Sequence, residues 1–149
     1  MSTTNTPTFG PPVIGQTEKA LNAILARQLT GTGLGERHWV TLTMTVASGG
    51  TVDRDELIGR VAGVLKGGEA EAQALIVDLA ARQLLDVPDG DESPVKVTDA
   101  GQQLHSRIRA AVSEITQRLW GDMPAADLAT AGRVLNTVLA RANEELAAA

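Results

Sequence analysis

The chain has 149 residues, 43% of them hydrophobic, which is enough to bury one core and points to a single domain. Only 2% are aromatic and none is cysteine, so aliphatic side chains and alanine must do the packing, and disulfides and thiolate metal sites are excluded. The net charge of −5 runs against the basic surface that most nucleic-acid binders present to phosphate.

Residues 1–11 carry no charged side chain and are rich in Ser, Thr, Pro and Gly, so a disordered arm is expected there. Met1 to Gly10 lacks the basic start and apolar run of a signal peptide, and no stretch approaches the roughly 20 apolar residues of a membrane span. No membrane association and a cytoplasmic location are expected. A first helix starts near Pro12, with Ile14, Leu21, Ile24, Leu25 and Leu29 at helical spacing, and Gly31 and Gly33 stop it. The segment Glu36–Ser48 reads two ways. Val40 to Val46 alternates apolar residues with threonine, as a strand does, while Trp39, Leu42, Thr43 and Val46 share one helical face. Local alternation puts the strand slightly ahead.

Thr51-Val52 suits a short strand, and Asp53 followed by Glu56 reads as a capping box for a helix with Leu57, Ile58, Val61 and Leu65 inward. Gly67-Gly68 breaks it. A second helix runs from about Glu69 to Leu84, with Ala72, Leu75, Ile76 and Leu79 on one face. Two short helices joined by a Gly-containing turn make a helix-turn-helix pattern. Leu85–Val87 and Val95–Val97 then flank a segment dense in turn formers, Pro88 to Pro94, so a hairpin stands where a wing would. Thr98 or Asp99 caps a long helix with Leu104, Ile108, Val112, Ile115 and Leu119 in register. Gly121 interrupts, Pro124 suits a first helical turn, and Leu128, Ala131, Leu135, Val138 and Ala142 follow at the three-four spacing of a coiled-coil seam. These stripes exceed what one head can cover, so self-association through Ile108, Ile115, Leu119, Leu128, Leu135 and Val138 is expected.

Several segments in this order carry a resemblance. They are Gly33-Leu34-Gly35-Glu36-Arg37-His38-Trp39, Leu57, Leu79-Ala80-Ala81-Arg82-Gln83-Leu84-Leu85, Val97-Thr98-Asp99-Ala100-Gly101, and Leu119 to Leu128. Over residues 13–146 the chain resembles the MarR family of winged-helix regulators. The resemblance implies a mainly α fold within one domain over 12–149. Its winged helix-turn-helix head, a three-helix core with a small β-hairpin wing, covers 36–98, and dimerisation helices cover 12–33 and 99–146. It turns Glu36–Ser48 into a helix and adds Leu21 to the dimer contacts. It further implies a homodimer on a palindromic DNA operator, acting as a repressor, and relief by a small aromatic acid. That ligand would meet Arg37, His38, Trp39 and His105, although Trp39 also suits the core and His38 a half-exposed surface.

The DNA contacts are less regular. By this resemblance Gln73, Ala74 and Asp78 fall where the family has a Thr-Arg pair and a further basic residue. Gln73 can pair with a base edge, Ala74 offers a methyl, and Asp78 opposes phosphate. The wing tip reads Asp89-Gly90-Asp91-Glu92, without the family's arginine. Lys66, Lys96, Arg54 and Arg60 remain as phosphate contacts. Arg54 and Arg60 also suit solvated helix positions, and Lys96 could pair with Glu92 or Asp86. From Gly63 to Asp99, Lys66, Arg82 and Lys96 face eight acids (Glu69, Glu71, Asp78, Asp86, Asp89, Asp91, Glu92, Asp99), which accounts for the whole net charge. The alternative is a winged-helix dimer with weakened or lost DNA binding, serving as a ligand- or protein-binding module. A small catalytic protein ranks third. There is no nucleophile elbow, phosphate-binding glycine loop or paired-His motif, and no cofactor or metal site is expected.

Overall fold

A computed structural model gives the structure of residues 6–89 and 93–148. The first five residues of the expected arm, wing-tip residues Gly90, Asp91 and Glu92, and Ala149 lie outside the described residues. Helix α1 (Pro11–Gln28) opens on two prolines, whose fixed φ and missing N–H suit a first turn.

Helix α2 (Glu36–Ala47) settles the ambiguous segment against the strand reading. The reason lies in the threonines. Thr41 Oγ1 donates to the Arg37 carbonyl at 2.9 Å and Thr45 Oγ1 to the Thr41 carbonyl at 3.0 Å, so each hydroxyl is satisfied one helical turn back. Both threonines are then fully buried beside Leu42. The inward face is therefore Thr41, Leu42 and Thr45, rotated from the Trp39–Val46 stripe that hydrophobicity alone suggests.

Strand β1 (Thr51–Val52) leads into α3 (Arg54–Leu65), whose N-cap Asp53 accepts a hydrogen bond from the Glu56 N–H at 3.1 Å. Leu57 and Val61 point inward, and Lys66 ends the helix in the left-handed region at φ 59°. Helix α4 (Glu69–Ala81) buries Ala72, Leu75, Ile76 and Leu79, the face its periodicity predicts. It stops short of Leu84. Gln83 turns left-handed at φ 63°, and the Leu84 N–H returns to the Leu79 carbonyl at 3.0 Å, closing the helix in a Schellman-like end. The chain passes straight into β2 (Leu85–Asp86). Strand β3 (Val95–Val97) pairs antiparallel with both others, so the expected hairpin becomes a three-stranded sheet in the order β1-β3-β2.

Helix α5 (Asp99–Trp120) explains why Thr-x-x-Gly suits this junction. Thr98, not Asp99, is the cap: its Oγ1 accepts from the Gly101 N–H at 3.0 Å and donates to the Gln83 carbonyl at 2.7 Å. Gly101 is fully enclosed, and a Cβ there would overlap the Leu84 carbonyl oxygen. One hydroxyl thus ties the start of α5 to the end of α4, and one missing side chain lets the two backbones meet.

The chain divides into two compact units, one up to Val112 and one from Ser113 onward. In the first, α2, α3 and α4 pack on one another and on the sheet around Leu42, Leu57, Val61, Ile76, Leu79 and Val95, with Ile108 of α5 included. The second holds the end of α5 and α6 (Ala125–Ala147), which has no buried residue. Among the described residues no helix is long and apolar enough to cross a membrane. The architecture is mainly helical with a small antiparallel sheet, in the winged helix-turn-helix order.

Candidate nucleic-acid interface

In a helix-turn-helix the second helix carries the chemistry, here α4. With Ala72, Leu75, Ile76 and Leu79 turned inward, the i, i+3, i+4, i+7 row left outside is Ala70, Gln73, Ala74 and Val77, all exposed, Val77 by 59%. This face is neutral: one amide among methyl groups. Two of the acids on α4 are drawn toward α2. Glu71 pairs with Arg37 at 2.7 Å, and Asp78 Oδ2 lies 2.6 Å from His38 Nε2 and 3.4 Å from Arg82 Nε. His38 Nδ1 accepts from the Gly35 N–H at 3.2 Å, which places the ring proton on Nε2, so His38 donates to Asp78. The His38 hydrogen bond, assisted by Arg82 against some desolvation, holds the Asp78 carboxyl below its usual range. Asp78 therefore stands as a tie between α2 and α4. It is not the free charge, opposed to phosphate, that its sequence position suggested.

Other expected contacts are also engaged. Arg54 Nη2 donates to the Pro88 carbonyl at 2.7 Å, fastening α3 to the chain after β2. Arg60 Nη1 donates to Ser48 Oγ at 3.0 Å and lies 4.0 Å from Glu56. Lys66 is exposed at the turn before α4, and Lys96 is exposed on the central strand, in register with Thr51 and Asp86. Gln73 and Ala70 line a shallow depression of about 430 Å³ with Asp55, Ile58 and Glu69.

The four expected ligand contacts have different partners within the chain. Arg37 and His38 face α4, as described. Trp39 and His105 stack face to face, centroids 4.8 Å apart and planes 14° from parallel. His105 is 3% exposed, and burial, with a smaller contribution from Arg109, lowers its pKa below 6.5. A larger cleft, about 630 Å³, is lined instead by Thr30, Gly31, Thr32, Arg82, Leu84, Leu104 and Arg107. Sequence reasoning passed over it because its arginines are 25 positions apart, and Arg82 is read there only as part of the segment running from the second helix into the wing. Of the expected dimer residues, Ile108 belongs to the core of the first unit and Leu21, Ile115 and Leu128 are half-buried. Leu119, Leu135 and Val138 are 40%, 46% and 37% exposed. No group of three metal-ligating side chains occurs among the described residues.

No family model matches the chain, and no curated protein does. Solved structures do. A MarR family transcriptional regulator from Silicibacter pomeroyi DSS superposes with a TM-score of 0.73 at 18% identity, covering 91% of this chain and 92% of its own. CouR from Rhodococcus jostii RHA1, bound to p-coumaroyl-CoA, gives 0.71 at 17% identity, with 85% and 88% covered. A MarR family protein of Mycobacterium tuberculosis in complex with salicylic acid gives 0.60 at 17% identity, with 85% and 94% covered. The order of elements, the sheet and these superpositions define a winged-helix protein. More narrowly, the chain has the MarR-type winged-helix fold.

Proposed function

We propose that this chain is a non-catalytic, cytoplasmic transcriptional regulator. It acts as a homodimer, places α4 of each copy in the major groove of a palindromic operator, represses transcription, and is released by a small aromatic acid. The observation that carries this reading is the outward row of α4. Its amide and methyl groups suit base edges, since Gln73 can bond adenine N6 and N7 while Ala74 and Val77 meet thymine methyls. Lys66, Lys96, Arg54 and Arg60 are the phosphate contacts in this reading, the last two from positions they already brace. The homodimer is supported by the aliphatic row of α6, including Leu135, Val138 and Leu139, which is exposed in a single copy. Ligand release is supported by the neighbours of the same fold that hold salicylic acid or p-coumaroyl-CoA.

A second reading keeps the fold and gives up DNA, and the acidity of residues 63–99 favours it. A fluorescence anisotropy titration separates the two. It would use the DNA upstream of the chain's own gene and duplexes selected from a random pool, at several salt concentrations. The regulator reading expects saturable binding that weakens with salt by a slope of a few phosphates, and a loss of about 1–3 kcal/mol at the preferred site for Gln73→Ala. Absence of binding even at low salt establishes the second reading.

A further inference from the structure

We infer that Glu69 fixes a further base of the half-site: it takes the N4 amine of a cytosine, about two base pairs from the adenine read by Gln73, and rejects guanine and thymine there. The inference rests on the regulator reading above and adds a base that reading leaves open. Of the three acids on α4, Glu71 and Asp78 are turned toward Arg37 and His38 of α2. Glu69 borders the outward row on its other side and is exposed. With Ala70, Gln73 and, from α3, Asp55 and Ile58, it lines the depression of about 430 Å³. It is the first residue of α4, and a recognition helix meets base edges with its N-terminal residues.

A carboxylate only accepts hydrogen bonds. In the major groove cytosine offers the N4 amine, whereas guanine presents N7 and O6 and thymine presents O4, all acceptors. Opposite those acceptors the carboxylate gives up water and gains no partner, a cost that excludes the wrong base. Adenine sets its N6 amine beside the N7 acceptor, and an amide matches that pair better than a carboxylate does. Glu69 and Gln73 thus divide the two amino bases between them. Neither the outward row nor the lining of the depression includes an Arg or Lys, the side chains that read guanine O6 and N7. Lys66 belongs to neither set; it closes α3. Glu69 and Gln73 lie one turn apart, about 6 Å of rise, which spans about two base steps of roughly 3.4 Å for a helix lying along the groove. Glu69 and Asp55 both weaken attraction to any duplex, because each opposes phosphate. What Glu69 alone adds is discrimination, since it stands beside Gln73 on α4 while Asp55 stands on α3.

The test starts from duplexes that the full chain selects from a random pool. Fluorescence anisotropy then compares the preferred duplex with its single-pair variants. Each half-site is expected to hold a C·G pair about two pairs from an A·T pair, and changing it to G·C or T·A should weaken binding about fivefold or more. Glu69→Gln should end the preference for C·G at that pair and tighten binding to unselected duplex. Asp55→Asn should also tighten binding to unselected duplex but keep the C·G preference, which separates base reading from a general charge effect. Both side chains are exposed, and matching thermal melts will show that the variants fold. Three results overturn the proposal: a half-site with no selected C·G pair near the adenine, a C·G preference that survives Glu69→Gln, or one that Asp55→Asn removes equally. In each of these the chain still binds duplex and the regulator reading stands. A chain that binds no duplex at low salt loses the regulator reading, and the Glu69 assignment with it.

Discussion

Up to Val112, aliphatic side chains from the helices and the sheet close over one another, and Leu42, Leu57, Val61, Leu79 and Val95 retain no exposure. In α6 the same kinds of side chain at the same three-four spacing stay open: Val134, Leu135, Val138 and Leu139 are between 37% and 56% exposed. A helix of this length gains little from its own hydrogen bonds in water, and its stability comes from covering its apolar face. The first unit finds that cover within the chain. For α6, the homodimer reading assigns it to a second copy. A core and a seam are thus written with one periodicity, and only burial tells them apart.

The sharpest way to break this contrast is to remove a side chain from each region. Leu57→Ala opens a cavity in the first unit and should cost about 2–5 kcal/mol in urea unfolding. Val138→Glu combined with Leu139→Glu should leave the unfolding of the first unit nearly unchanged while raising the dimer dissociation constant by about 100-fold or more, read by sedimentation. If the double variant instead unfolds the first unit, the division of labour is wrong. Gly101→Ala probes the close approach of α5 to Leu84 and should cost about 1–3 kcal/mol. Thr98→Ala removes the cap at the same junction and should cost about 0.5–2 kcal/mol.

The smallest expected effect is on pH dependence. Burial lowers the pKa of His105, so the unfolded chain takes up the proton first. The stability associated with neutral His105 is complete above 6.5 and is lost as pH falls below 6.5 toward the lower folded value. His105→Gln should flatten that part of a melting-temperature profile. Asp78 has the opposite charge but the same sign of dependence. Its contribution is present above 3.8 and lost as pH falls through its depressed folded value, a window separate from that of His105.

Much of the fold was legible in the residues. The buried face of α4 follows from an uninterrupted helical period, and the start of α3 from the Asp53 and Glu56 pair. Segment α2 was legible as a helix only through the family resemblance, because a threonine-rich alternation fits a strand until each hydroxyl is known to bond one turn back. The role of Asp78 depends on His38, forty positions away, so the sequence shows only an acid on the wrong helix. The Gln83 turn that shortens α4 lies in a run that reads as helix, and no glycine marks it. The cleft is assembled from three distant segments, and its arginines read as ordinary surface charge until the backbone brings them together.

Analytical ultracentrifugation of the full chain with a labelled duplex from its own upstream region, at low salt, tests the central claim most directly. The account predicts one sedimenting complex holding two chains per duplex, dissolved by added salt. Free duplex alongside protein at micromolar concentration, whether monomeric or dimeric, contradicts it.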